Sequence, residues 1–123
     1  MTLNRLPLKL QKAFIELQEL YQLEKEYKEN ILDDTVFTDY KIIKLVKLHD
    51  KTRSIRRVIE RYLTDIEQNI ILLRYVLKMP IKEIMERTGY SKRSVLYHLS
   101  SSIEILNKHI SMTRDKKKLY LRY

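Results

Sequence analysis

The side chains of this sequence that could do chemistry are basic and polar, and they concentrate between residues 82 and 123. No catalytic or metal-binding set accompanies them, because the chain has no cysteine and its three histidines are too scattered to form one ligand set. A single glycine leaves no Gly-rich loop that could hold a phosphate. The sequence therefore predicts a binding protein without a cofactor or a metal, not an enzyme.

Two basic blocks carry the excess positive charge. The net charge is +9, with eight basic against two acidic side chains in residues 41–63 and nine against two in residues 87–123. Such blocks could face a polyanion, although Lys-rich helices also serve simply to keep a protein soluble. Two interpretations of residues 41–61 stay open. Their basic side chains can be the solvated side of an amphipathic helix, or they can contact phosphate or a partner.

Composition predicts an all-α fold made of one domain. One glycine and two prolines in 123 residues give few of the tight turns that sheets need. Apolar spacings of three and four residues predict about five helices. Their expected ranges are 9–30, 39–62 with a kink near 52–54, 65–77, 81–88 and 91–110. The expected divisions are an N-terminal helical segment 1–63 for packing or dimerisation, a helix-turn-helix region 64–110 and a basic tail 111–123.

The same spacing predicts which side chains the first three helices bury. In the first helix these are Leu10, Ala13, Phe14, Leu17, Leu20, Tyr21 and Tyr27. In the second they are Ile42, Leu45, Val46, His49, Ile55, Ile59 and Tyr62. Thr64 and Glu67 have the spacing of a capping box that starts the third helix. Its expected inward set is Ile66, Ile70, Leu73, Val76 and Leu77.

Residues 81–106 have the pattern of a helix-turn-helix, which is a short helix, a turn and a longer helix with a polar start. Gly89 can take the left-handed conformation of the turn, and Ser91 can cap the helix that follows. The short helix can bury Ile81, Ile84 and Met85, and the long one can bury Val95, Leu99, Ser102 and Leu106. The side chains turned away from that core are Lys92, Arg93, Leu96, Tyr97 and Ser101, with Ser94 and His98 at its flank.

A family resemblance rests on the runs 70–76 and 80–85, on Gly89 to Ser91, and on Ser94, Val95, Leu99 and Leu106. On these residues, about Ile66 to Leu106 resembles region 4 of bacterial sigma-70 factors. It looks closer still to small phage transcriptional regulators of the autolysin-regulator (ArpU) and RinA type. The resemblance implies a sigma-region-4-like helix-turn-helix preceded by two longer amphipathic helices. It also implies binding of double-stranded DNA with the fifth helix in the major groove.

The resemblance assigns roles to individual side chains. Those expected to reach bases or the groove are Lys92, Arg93 and Tyr97. Those expected at phosphates are Lys82, Arg87, Ser91, Ser94, His98, Ser101, Lys116, Lys117 and Lys118. The alternative for Lys92 and Arg93 is a solvated helix start, and the alternative for Tyr97 is packing on the surface.

The preferred functional hypothesis is a sequence-specific transcriptional regulator that binds double-stranded DNA and is encoded by a phage or a mobile element. A lone motif reads few base pairs, which favours a homodimer. The alternative is a sigma-like interaction module that acts mainly on RNA polymerase or another host protein. Without cysteine or a signal-peptide pattern, a cytoplasmic location is expected. No run approaches the ~18 apolar residues of a membrane span, so no membrane partner is expected.

Overall fold

The computed structural model describes the backbone of residues 6–32 and 37–121 and the side chains as far as Ile110. Within these ranges every regular element is helical and no strand occurs, so the all-α prediction is confirmed. The described chain forms six α-helices: α1 (Leu8–Leu32), α2 (Asp39–Lys51), α3 (Arg53–Tyr62), α4 (Asp65–Ile71), α5 (Ile81–Thr88) and α6 (Lys92–Leu121). A π-helical turn, Leu72–Val76, continues α4. No helix of the described chain combines the length and apolarity needed to cross a bilayer.

The sequence predicts one helix over 39–62 with a kink near 52–54, and the structure has a full break there, at Thr52, which gives six helices instead of about five. Thr52 is buried, and its hydroxyl donates to the carbonyl oxygen of Leu48 at 2.8 Å. Such back-bonding by threonine bends helices. Arg56 reinforces the break, because its guanidinium donates to Thr52 Oγ1 at 3.1 Å and to the carbonyl oxygen of His49 at 2.6 Å. The chain thus turns between α2 and α3 with these polar groups satisfied.

α6 forms the centre of the main core, where it packs against α3, α4 and α5. The predicted rear stripe of Val95, Leu99, Ser102 and Leu106 is buried, with no member exposed by more than 1%. Ile84 of α5 and Ile70 of α4 are fully buried in the same core. The amino-terminal half of α1 completes it with Leu10, Ala13, Phe14 and Leu17. Because one stripe of α6 is enclosed, its opposite side must face outward.

A buried carboxylate connects the start of α4 to the middle of α6. The predicted capping box is present: Glu67 N donates to Thr64 Oγ1, and Thr64 N donates to Glu67 Oε1 at 3.1 Å. Glu67 is only 8% exposed, and its second oxygen lies 3.4 Å from the hydroxyl of Ser102. The same hydroxyl donates to the carbonyl oxygen of His98 at 2.6 Å. The Glu67 side chain, which forms the capping box at the start of α4, thereby also helps to position α6 against α4.

The π-helical turn changes which side chains of 65–77 face the core. Its wider ring is closed by Leu77 N donating to the carbonyl oxygen of Leu72 at 2.9 Å, and Gln18 Nε2 satisfies the carbonyl oxygen of Tyr75 at 2.6 Å. The extra residue per turn brings Tyr75 inward, where its ring stacks on Phe14 with centroids 4.8 Å apart. Burial there raises the pKa of the Tyr75 phenol. The prediction that Leu77 faces the core is therefore wrong, since Leu77 follows this turn and is 40% exposed. The same prediction for Ile66 is also wrong: Ile66 lies in the first turn of α4, before the π-helical turn, where it borders an open cleft and is 43% exposed.

The carboxyl-terminal half of α1 and α2 form a hairpin with a small core of their own. Its buried members are Leu20, Leu23 and Leu48, with Phe37 and Leu45 packed against them. The Lys41 ammonium donates to Glu26 Oε2 at 2.9 Å across the two helices, and this hydrogen bond lowers the pKa of the Glu26 carboxyl. Five side chains predicted inward are exposed instead: Tyr21, Tyr27, Ile42, Val46 and His49. Tyr62 at the end of α3 is also exposed, and it stacks on His109.

The backbone of α6 continues beyond its predicted end near Ile110 and is helical to Leu121. The predicted phosphate contacts of Lys116, Lys117 and Lys118 concern side chains outside the described ones, and they stay predictions.

Replacing Glu67 with alanine should lower the free energy of unfolding by about 1–3 kcal/mol, because the capping box loses its acceptor and Ser102 loses a buried neighbour. Glu86→Ala is the matched control, since Glu86 is exposed on α5, and it should change stability by less than about 0.5 kcal/mol. Urea denaturation of both variants measures the difference. Equal losses in the two variants would contradict a structural role for Glu67.

Candidate nucleic-acid interface

A tight turn of three residues joins α5 to α6. Gly89 ends α5 with φ 76°, as predicted, and its N–H donates to the carbonyl oxygen of Met85 at 2.9 Å. Thr88 Oγ1 donates to the carbonyl oxygen of Ile84 at 2.7 Å and accepts from Tyr90 N at 3.3 Å. Ser91 then caps α6, since its hydroxyl oxygen accepts from Ser94 N at 3.2 Å. The turn therefore holds the first residues of α6 in a defined orientation.

The amino end of α6 carries two cations. Lys92 and Arg93 occupy the first turn of the helix and are exposed, and that turn contains no acidic residue. No hydrogen bond or ion pair occupies either side chain within residues 6–32 and 37–110. Tyr97 follows one turn later and is 69% exposed. Arg93 and Tyr97 lie four residues apart and share one exposed face of α6, whereas Lys92, five residues from Tyr97, projects roughly 140° away from it at the exposed end of the helix.

The polar residues predicted at phosphates along α6 lie at the edges of this face. Ser94, His98 and Ser101 are half-buried, whereas Ser91 is exposed. The ring of His98 lies 5.8 Å from that of Tyr90, so it also packs against the turn. Because the Ser91 oxygen accepts the capping hydrogen bond, its hydroxyl hydrogen remains the group that can be donated outward.

The two basic residues of α5 do not share a face. Lys82 and Arg87 are both exposed, but five residues along a helix place them roughly 140° apart. Two exposed carboxylates, Glu83 and Glu86, lie between them on the helix surface. Unlike the first turn of α6, the outer surface of α5 carries no excess of positive charge.

Arg87 borders an open cleft of about 360 Å³ between α4 and the turn. The cleft is lined by Asp65, Ile66, Asn69, Ile70, Arg87, Thr88 and Tyr90. Asp65 places a carboxylate along the same cleft as Arg87.

Two residues of the exposed α6 face were not singled out from the sequence. Ser100 is exposed, and it lies in helical phase with Lys92 and Leu96. Glu104 is exposed one turn farther along and carries a negative charge. The four-residue spacing from Lys92 could have identified both. Glu104 thus places one negative charge between the start of α6 and Lys108, which is exposed one turn beyond it.

No group of three or more His, Asp or Glu side chains could hold a metal ion in the part of the chain whose side chains are described. Comparison with known proteins finds no matching family model, no matching curated protein and no matching solved structure. Function must therefore be argued from the residues themselves.

Gly89→Ala should lower the free energy of unfolding by about 1–2 kcal/mol, because an L-residue is strained at positive φ. A Cβ added at Gly89 would meet no atom within 4 Å, so the cost is conformational and not a clash. Gly89→Asn should cost less, since asparagine tolerates this conformation. Thermal unfolding of the three proteins measures the order, and equal stability of the alanine variant and the parent would contradict the assignment.

Proposed function

We propose that this protein is a sequence-specific transcriptional regulator that binds double-stranded DNA through a helix-turn-helix formed by α5, the Gly89 turn and α6. The observation that carries the proposal is the exposed, unpartnered pair of Lys92 and Arg93 at the amino end of a helix whose rear is fully buried. In this proposal α6 enters the major groove, and Lys92 and Arg93 meet guanine edges or the adjacent phosphates.

The electrostatics of an α-helix make this pair of cations informative. The amino end of a helix carries a partial positive charge, so each lysine or arginine placed there costs about 0.3–1 kcal/mol at low ionic strength. The first turn of α6 carries two such residues and no acid, whereas α4 begins with the acids Asp65 and Glu67. A phosphate bound at this end would neutralise the cations and interact favourably with the free N–H groups. The unfavourable interaction of these two cations with the helix dipole therefore supports an anionic partner at this end of α6.

The size and composition of the exposed face fit a base-reading surface. The segment from Lys92 to Ser101 is roughly 15 Å long at 1.5 Å per residue, which suits a groove roughly 12 Å wide. Tyr97 can contact a thymine methyl or a base edge near the middle of this segment. Ser91, Ser94 and Ser101 can donate to phosphates at its margins. Glu104 would repel phosphates, and so the base-contacting segment is assigned to the turns of α6 that precede it.

The other predicted phosphate contacts contribute less in this account. Lys82 and Arg87 have carboxylates beside them, so their attraction for a phosphate is partly cancelled. Lys116, Lys117 and Lys118 would add attraction that is independent of base sequence and sensitive to salt. Base discrimination is therefore assigned to Lys92 and Arg93, with Tyr97.

The double variant Lys92→Ala with Arg93→Ala should bind duplex DNA at least about tenfold more weakly than the parent. The slope of log K against log salt should also fall by up to about 2, since two cations are lost. Stability should not fall, and at low salt it should rise by some tenths of a kcal/mol, because the helix dipole is no longer opposed. Fluorescence anisotropy measures binding to a duplex that the parent selects from a random pool and to a random-sequence duplex of the same length, about two helical turns, and the loss should be larger on the selected duplex. Urea denaturation measures the stability.

Lys25→Ala with Lys28→Ala is the matched control, because both lysines are exposed on α1 and the same two charges are removed. If the two double variants bound DNA equally well, the assignment of α6 would be wrong. If the parent did not bind DNA at low salt and were instead recovered with RNA polymerase from bacterial lysate, the proposal would be wrong. The alternative, a sigma-like module that binds a host protein, would replace it.

A further inference from the structure

The outward face of α3 carries three arginines, which are called the arginine stripe below. Arg53, Arg57 and Arg61 follow one another at four-residue spacing, so they lie on one side of the helix, and all three are exposed. The opposite side of α3 is enclosed in the main core, where Ile55 and Val58 are 3% and 4% exposed. Because the core holds that side, the arginine stripe faces outward.

Neighbouring arginines of α3 differ in what their side chains contact. Arg56 is half-buried, and its guanidinium donates to Thr52 Oγ1 and to the carbonyl oxygen of His49. Its positive charge therefore has a structural use at the break between α2 and α3. Arg57 has no hydrogen bond and no ion pair among the described side chains, which end at Ile110. The fold thus explains Arg56 and leaves Arg57 available to a ligand.

Tyr62 holds the guanidinium of Arg61 in position. The guanidinium carbon lies 5.7 Å from the centroid of the Tyr62 ring, which is a cation–π distance. The Tyr62 ring in turn stacks on His109 of α6, with the ring centroids 3.5 Å apart. Arg61 forms no ion pair in the part of the chain whose side chains are described. The stacked rings therefore orient a cation whose N–H donors remain available.

The charges around the arginine stripe are not balanced. Residues 41–63 contain eight basic and two acidic side chains, and the two acids are Asp50 and Glu60. Asp50 lies 3.8 Å from Arg53 in a pair that is open to solvent, so their attraction is weak. Glu60 forms no ion pair within the described side chains. Like charges four residues apart destabilise a helix, and a bound polyanion would remove this repulsion.

The chemistry of the arginine stripe indicates which polyanion it fits. Guanidinium groups bind phosphate oxygens through two parallel N–H donors. Phosphates of a membrane surface are a poor match, because a helix that binds there inserts an apolar face, and the apolar side of α3 is buried. A duplex carries a phosphate on each strand roughly every 3.4 Å along its axis. Two arginines roughly 6 Å apart along α3 can therefore contact phosphates of the same strand.

We propose that the arginine stripe of α3 is a second DNA-contacting surface, on which Arg57 and Arg61 donate to phosphates of the duplex. This inference takes its ligand from the proposed function and in that respect rests on it. The two surfaces nevertheless contribute differently, because phosphate contacts add affinity that does not depend on base sequence. The stripe raises the affinity for every duplex, and α6 discriminates among them.

Arg57→Gln with Arg61→Gln should weaken binding to a random-sequence duplex at least about fivefold, and the slope of log K against log salt should fall by up to about 2. The ratio of the affinities for a selected and a random-sequence duplex should stay unchanged, since both duplexes lose the same phosphate contacts. Glutamine keeps the helix propensity of arginine, and circular dichroism checks that helicity is retained. Fluorescence anisotropy measures the affinities.

Two further variants show whether the loss comes from charge at the stripe. Lys25→Gln with Lys28→Gln removes the same number of charges from the exposed side of α1 and should bind nearly like the parent. Arg57→Lys with Arg61→Lys keeps both charges and should restore most of the affinity. Equal binding by the α3 and α1 glutamine variants, or a lysine variant as weak as the α3 glutamine variant, would overturn the phosphate contact.

The variant Lys92→Ala with Arg93→Ala, measured beside these, separates the stripe from the α6 surface. A loss of binding confined to the α3 glutamine variant would support the stripe and contradict the assignment of α6. A loss confined to the α6 variant would do the reverse. A parent protein that binds no duplex at low salt would overturn both proposals.

Discussion

The structure depends on the burial of one stripe of α6. Val95, Leu99, Ser102 and Leu106 are enclosed by α3, α4 and α5, and this single constraint determines which side of α6 is exposed. The Glu67 carboxylate strengthens it, because a group that caps α4 also reaches the hydroxyl of Ser102. Gly89 sets the direction from which α6 departs. The orientation of Lys92 and Arg93 follows from these contacts and from no contact of their own.

The features that the sequence predicts correctly are those with local causes. The left-handed turn at Gly89, the capping box at Thr64 and the serine cap at Ser91 each involve residues within a few positions of one another. The rear stripe of α6 is also predictable, because only one side of that helix is continuously apolar. These local signals cover the segment from α4 to α6, which contains the proposed binding site.

The errors arise where distant residues decide the outcome. α2 has two apolar stripes, and only its contact with α1 determines that Leu48 faces the core while Val46 does not. In the π-helical turn Leu72–Val76, the carbonyl oxygen of Tyr75 accepts a hydrogen bond from Gln18, which lies 57 positions earlier in the sequence. No periodicity of 3.6 residues could reveal that extra residue. The contact between Glu67 and Ser102 could not be predicted from the local sequence either, since 35 positions separate the two residues.

The central claim is that the exposed start of α6 reads base sequence. Selection of bound duplexes from a random pool by the parent protein tests it most directly. We expect an enriched motif, and if the protein binds as a homodimer, the motif should recur as an inverted pair about 10 base pairs apart or at a multiple of that spacing. A bound pool that stays random in sequence, under salt conditions where binding persists, would contradict the claim.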